Sequence, residues 1–309
     1  MYRIKGFFIR VLSFIYAAAM LIGSPGRVAG GEALPRADNV LTSVNVISDI
    51  HMEGNNFYRK NVYVQGMRNM REYTPGLDAL IMCGDNTMNG QPGEYFILNG
   101  LTSLLLPDAD VLPVCGNHDL GGSDDDLTKM RDRFIDQYNA LQKEAPIDRL
   151  WYSIEMDGCM FISLSEDIDE AGDALVFTDD ELRWFNARLD AAGEAGVPTL
   201  VGCHYPLYYM DDAVRDAITA HRNVYYFCGH MHRPGVAVHQ IDGRDDLWNI
   251  DLPVFTECKE ENGETTWYTG YGVNVQITAV EITLNTYSFY AAELIESITL
   301  PIIRIASGG

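Results

Sequence analysis

Short apolar runs recur along this chain, separated by stretches in which apolar residues fall three and four positions apart. The runs are VNVIS (44–48), ALIMC (79–83), VLPVC (111–115), PTLVGC (198–203) and NVYYFC (223–228). Their length and their Val, Ile and aromatic content suit buried strands. Helical spacing predicts helices over 93–105, 124–142 and 178–192, with a shorter one over 211–221. The third opens on Thr178 with Glu181 three residues later, the signature of a capping box. Apolar runs at 151–155 and 160–165, separated by Met-Asp-Gly-Cys, predict a strand, a turn and a strand. From Val236 the pattern changes to alternation, in VNVQITAVEITL and YSFYAAELI, which predicts paired antiparallel strands. Strands alternating with helices imply an α/β fold in packed layers.

The first thirty residues are of another kind. Arg3, Lys5 and Arg10 precede an apolar core, Val11 to Gly23, and small residues follow. That order resembles a secretory signal peptide, and the core is shorter than the roughly 20 residues a membrane span needs. The expected organisation is a signal peptide over 1–30, a polar linker over 31–40 and one domain over 41–309, with cleavage near Gly30 or Ala33. The expected destination is the extracellular space or cell envelope. No stable membrane association is expected after cleavage.

Removing residues 1–30 takes away Arg3, Lys5, Arg10 and Arg27 and no acid, which moves the formal charge from −22 to −26. Such a surface repels duplex nucleic acid. The chain has six cysteines, without a CxxC pair. Cys83, Cys115, Cys203 and Cys228 end apolar runs, which suits small buried core residues. For Cys159 and Cys258 a disulfide remains open at this stage.

Chemistry collects where the apolar runs end. Five of the seven histidines fall in the blocks Asp49-Ile50-His51, Gly84-Asp85, Gly116-Asn117-His118-Asp119, His204 and Gly229-His230-Met231-His232. Open sheets bind ligands at the carboxyl ends of their strands. Oxygen and nitrogen donors in this number suit two cations clamping a phosphate, with one carboxylate able to bridge. Asp85 follows a glycine and suits the bridge. Mixed imidazole, carboxylate and amide donors accept two divalent or trivalent ions, Mn, Fe, Zn or Co.

In order and type the blocks resemble the calcineurin-like metallophosphoesterase superfamily, over about Val44 to His232, with Gly-Asn-His-Asp and Gly-His-x-His the most specific parts. The resemblance implies a β-sandwich flanked by helices. It also implies hydrolysis of small phosphate esters at a dinuclear centre by a metal-bridging hydroxide. It assigns Asp49, His51, Asp85 and His232 to one metal, and Asp85, Asn117, His204 and His230 to the other. His118 would steady the phosphate and protonate the leaving oxygen, with Asp119 orienting it. Imidazole suits that work, because its unperturbed titration falls near neutrality. A non-catalytic metal or polyanion-binding module on the same fold is the alternative.

The sequence departs from one branch of this superfamily. Purple acid phosphatases place a tyrosine ligand three residues after Gly-Asp, where this chain has Met88, so a tyrosinate-iron centre is not expected. The Asn86 to Gly90 stretch is more similar to bacterial members related to cyclic nucleotide phosphodiesterases. Two divalent ions, the Asp49 and Asp85 carboxylates and a hydroxide would leave about +1 at the reacting centre, reversing the sign of the acidic exterior locally. Cations near the blocks are few, namely Arg59, Lys60 and Arg233, which leans the expectation towards diesters. Tyr205, Tyr208 and Tyr209 follow the His204 block and could stack on a base or sugar.

Overall fold

Alternation in the apolar runs sends side chains to two faces, and each face finds its own core. In β1 (Thr42–Ile47) Val44 and Val46 enter one buried cluster while Ile47 enters another. The computed structural model of the chain describes residues 30–121, 127–141, 146–165, 167–168, 175–256, 258–259, 265–266 and 270–304. The leader up to residue 29, residues 122–126 of the acidic segment with the expected helix start at Asp124, and the Cys258 side chain lie outside the description.

Two six-stranded sheets stack face to face. The first runs β16 (Glu293–Pro301), β15 (Glu281–Ser288), β14 (Tyr271–Ile277), β1, β2 (Ala79–Cys83), β3 (Asp110–Val114). The second runs β10 (Ala237–Gln240), β11 (Leu247–Pro253), β9 (Val224–Arg233), β8 (Thr199–Gly202), β5 (Cys159–Ser163), β4 (Tyr152–Met156). Two short hairpins, β6 (Asp167–Ile168) with β7 (Leu175–Val176) and β12 (Cys258–Lys259) with β13 (Thr265–Thr266), stand apart. Val44, Ile81, Val114, Phe161, Leu200, Phe227 and Val275 fill the space between the large sheets.

Helices cover the outer faces. α1 (Phe57–Tyr73) and α2 (Pro92–Leu105) lay Met67, Met70, Leu98 and Leu101 over Leu80 and Met82 of the first sheet. α4 (Asp179–Ala195) and α5 (Asp212–Ala220) lay Phe185, Leu189, Val214 and Ile218 over Ile162, Val201 and Tyr226 of the second. α3 (Leu127–Leu141) packs Met130 and Phe134 with Tyr95, Cys115 and Leu150. The Thr178 hydroxyl caps α4 by accepting from the Glu181 N–H at 3.2 Å. The expected β-sandwich flanked by helices is therefore what the chain forms.

Four features differ from the sequence reading or extend it. α1 has no counterpart among the expected helices, because Arg59, Lys60, Gln65 and Asn69 are buried within it and blur its apolar stripe. Past Val236, β14, β15 and β16 form the expected antiparallel meander, but β11 lies parallel to β9 as well as antiparallel to β10. The polar segment 31–40 is fastened to the domain: Glu32 N–H donates to Ala292 O at 2.9 Å, and Arg36 pairs with Asp78 at 2.9 Å. All five described cysteines, Cys159 included, are buried free thiols.

An in-register polar ladder ties the meander to β1. Asn45, Asn274, Asn285 and Ser297 are neighbours across four strands. Asn274 Nδ2 donates to Asn45 Oδ1 at 2.9 Å, and Ser297 Oγ donates to Asn285 Oδ1 at 2.6 Å. A slip by one residue would strand these buried amides, each at a cost of about 1–3 kcal/mol, so the ladder selects the register.

Candidate metal centre

The parallel strands β1, β2, β3, β8 and β9 all deliver their carboxyl ends to one edge of the sandwich. There the loops after β1 and β2 run side by side: Asp49 N–H donates to Gly84 O at 3.1 Å, His51 N–H to Asp85 O at 2.9 Å, and Met52 N–H to Asn86 O at 3.0 Å. The backbone at this edge takes a rare conformation, in the two paired loops and again at the end of β9. Asp49 (φ 56°), His51 (47°), Asp85 (50°), His230 (68°) and His232 (48°) all lie in the left-handed region. For a residue with a Cβ that conformation costs about 1 kcal/mol or more, and it persists where the surroundings over-determine it. The strain falls on the expected ligands.

Glycines make the close approach possible. An added Cβ on Gly116 would stand 2.2 Å from the Asp85 nitrogen and 2.4 Å from Asp85 Oδ1. At Gly84 (φ 85°) it would meet His204 Nδ1 at 2.3 Å. The glycines of the Gly-Asp and Gly-Asn-His-Asp blocks are therefore required by packing of one loop against another.

Ligand atoms of Asp49, His51, Asp85 and His232 lie within 4.8 Å of one another. His232 Nε2 is 3.2 Å from Asp49 Oδ1 and 3.0 Å from His51 Nε2. Asp85 Oδ2 faces both halves of the site, 3.8 Å from His51 Nε2 and 3.1 Å from His204 Nε2. The His204 and His230 rings stand 5.2 Å apart, nearly perpendicular. His230 joins the first group through its backbone N–H, which donates to Asp49 Oδ2 at 3.2 Å. Asn117 precedes His118, whose backbone N–H donates to Asp85 Oδ1 at 2.9 Å.

The donor set fits metal ions. Asp49 Oδ1, Asn117 Oδ1 and His204 Nε2 are buried without an aligned hydrogen-bond partner, a state that costs free energy unless a cation satisfies them. His204 Nδ1 donates to the Cys83 carbonyl at 3.1 Å, which fixes the tautomer and leaves Nε2 for a metal. Burial pushes the His51 imidazole down to about 4, against the pull of Asp85 and Asp49, so it is a neutral donor at neutral pH. Burial also works against charge at Asp85 and His204. Their mutual attraction outweighs it, holding the carboxylate low and raising the imidazole to about 10. That pair holds a proton in the place where a cation would stand.

The two expected catalytic residues divide differently from the sequence reading. His118 Nδ1 donates to the Met88 carbonyl at 2.7 Å, and its ring lies 4.7 Å from His51, edge to face. Asp119 does not orient His118. Its carboxylate accepts from Asn86 N–H (3.1 Å), Thr87 N–H (2.9 Å), Thr87 Oγ1 (2.9 Å) and Gly116 N–H (3.1 Å). Burial, helped by the Asp85 charge, pushes this carboxyl up to about 6. Asp119 therefore clasps the Asp85 loop to the His118 loop, and Met88, Asn86 and Thr87 are the partners that sequence reasoning did not assign. Their one signal in the sequence is adjacency to Gly84-Asp85.

Comparisons with known proteins agree with this fold. Solved structures share the fold at low identity. A dimetal phosphatase from Danio rerio matches at TM-score 0.59 and 13% identity, over 85% of this chain and 100% of its own. A purple acid phosphatase from yellow lupin matches at 0.60 and 12%, over 84% of this chain and 53% of its own. GAP50, the anchor in the inner membrane complex of Plasmodium, matches at 0.54 and 12%, over 85% and 89%. A search of curated proteins found no match. The pattern of one family spans residues 42–234, from β1 through the Gly-His-Met-His block, well over half of the chain. With every ligand block of that stretch converging on one strained edge, the chain belongs to the calcineurin-like phosphoesterase family and is a hydrolase of phosphate esters.

Proposed function

We propose that the protein is an exported dinuclear-metal phosphoesterase that prefers phosphodiesters. The observation that carries the reading is Asp85: one buried carboxylate oxygen faces His51 on one side and His204 on the other. Asp49, His51, Asp85 and His232 would hold one ion, and Asp85, Asn117, His204 and His230 the second. Bound there, two ions would neutralise phosphoryl charge and supply a nucleophile at neutral pH.

The remaining work falls to the protein. The Met88 carbonyl accepts a hydrogen bond from His118 Nδ1–H, so that Nε2 faces outward to hand a proton to the leaving oxygen when the ring is protonated. The His118 backbone N–H on Asp85 Oδ1 keeps that ring in step with the bridging carboxylate. Asp119 holds both loops in register.

Charge supports a diester. The three cations near the blocks are committed to the protein: Arg59 Nη1 to the His51 carbonyl at 3.2 Å, Lys60 Nζ to the Gly54 carbonyl at 2.6 Å, and Arg233 Nε to Asp251 at 3.1 Å. The second charge of a monoester dianion would gain little from them. GAP50 carries an anchoring role in its name, so the fold alone does not separate an enzyme from a binding module. What favours catalysis here is that every ligand position is filled.

Turnover of matched chromogenic diester and monoester by the Mn²⁺-loaded protein is expected to vanish with a chelator and to favour the diester. Activity that survives chelation would overturn the metal reading, and a monoester preference the substrate reading. Export rests on the leader's charge and apolar core. Glu32, which anchors to Ala292, argues for cleavage before it rather than after Ala33. Mass spectrometry of the secreted chain should find an N-terminus near Gly31, and a retained Met1 would sink the proposal of cleavage.

A further inference from the structure

On the His230 side of the centre the surface is aromatic and open. The turn Leu207–Tyr209 follows His204 closely and presents Tyr208 and Tyr209, 59% and 51% exposed, with rings 4.6 Å apart. Met231, between the two ligand histidines of Gly-His-Met-His, is 38% exposed and accepts from the Tyr208 hydroxyl at 3.2 Å. The Tyr209 ring lies 6.0 Å from His230 and Tyr205 4.7 Å from it. By contrast, Tyr225 and Tyr226 of the neighbouring strand are fully buried. Two tyrosines and a methionine left open at the mouth of a reactive centre form an apolar shelf that folding has not covered, and such patches mark binding surfaces.

We infer that Tyr208, Tyr209 and Met231 bind a flat unsaturated ring carried by the substrate's non-leaving ester group. The preferred substrate is then a small phosphodiester bearing an aryl or nucleobase group. This rests on the phosphoesterase reading of the centre. Contiguity argues for the ring's place, since the shelf begins at a metal ligand and a phosphate held by the centre would set its ester group there. Charge limits the substrate's size: exposed Asp211 and Asp212 follow the shelf in sequence, and the chain's −22 charge disfavours a long polyanion. Tyrosine and methionine faces accept any π-surface, which is why an aryl and a base share one chemistry here.

The methyl, phenyl and thymidylyl esters of para-nitrophenyl phosphate share one leaving group and differ only in the group that stays. With the Mn²⁺-loaded protein, kcat/KM for the phenyl and thymidylyl esters should exceed that for the methyl ester by about tenfold, the order that stacking on one ring supplies. Tyr208→Ala with Tyr209→Ala should bring the ratio near one, chiefly through KM. Tyr208→Phe with Tyr209→Phe keeps the ring faces and should keep the ratio, which separates stacking from misfolding. A preference for the thymidylyl ester alone would support the shelf with a nucleoside as its source. Equal turnover of all three esters, or a preference that survives both alanines, overturns the shelf and leaves the phosphoesterase reading standing. No turnover of any ester overturns both.

Discussion

Asp85→Asn is expected to lower turnover by on the order of 10³-fold and to remove most of the bound metal. The carboxylate serves both halves of the site, so neutralising it withdraws charge from two cations at once. Losing several kcal/mol of electrostatic stabilisation corresponds to about three decades of rate. The shape of the side chain is nearly unchanged, and Oδ1 can still accept the His118 backbone N–H, so the fold should persist. Thermal unfolding supplies a readout that does not depend on turnover. A metal at a hundredfold excess over Kd stabilises the native state by about 2.7 kcal/mol. The wild-type Tm should therefore rise with Mn²⁺, and that rise should largely disappear in Asp85→Asn. A variant with full metal content and near-normal turnover would show that Asp85 does not bridge.

His118→Ala should do the opposite to metal and something similar to rate. Turnover is expected to fall about 10²- to 10⁴-fold, the usual contribution of a positioned general acid. Metal should remain, because the His118 side chain belongs to neither proposed ligand set, and the contact from residue 118 to Asp85 is made by the backbone. The loss should be larger for an alkyl leaving group, whose oxygen needs the proton, than for para-nitrophenolate, which leaves without one. Equal losses for the two would reduce His118 to holding the phosphate. Loss of metal would make it part of the ligand set and overturn its assignment as a proton donor. Asp119, which clasps the loops through Asn86, Thr87 and Gly116, should by this geometry affect metal content and turnover together.

The ligand types could be read from the chain because metal chemistry demands particular side chains and strand ends demand apolar runs before them. The helices over 93–105, 178–192 and 211–221 were legible for a similar reason, since an amphipathic stripe is a local property. α1 was not legible: burying Arg59, Lys60, Gln65 and Asn69 is affordable only once Gly54, His51 and the β15–β16 turn supply partners for them. The role of Asp119 was misread because adjacency to His118 in sequence says nothing about which way a carboxylate turns, and here it turns into the loop after β2.

The sequence by itself determined the class of chemistry, the layered fold and which residues stand as candidate metal ligands, since these follow from side-chain type and short-range period. Only the tertiary structure decided how the residues cooperate. At one edge of the sandwich Asp49, His51, Asp85, His230 and His232 all take left-handed backbone, and Gly116 and Gly84 allow an approach that no Cβ would permit. The Met88 carbonyl sets the His118 tautomer, and Tyr208, Tyr209 and Met231 come together as one open shelf. Those outcomes depend on contacts between segments many residues apart, and such contacts form only when the two sheets close on their shared core.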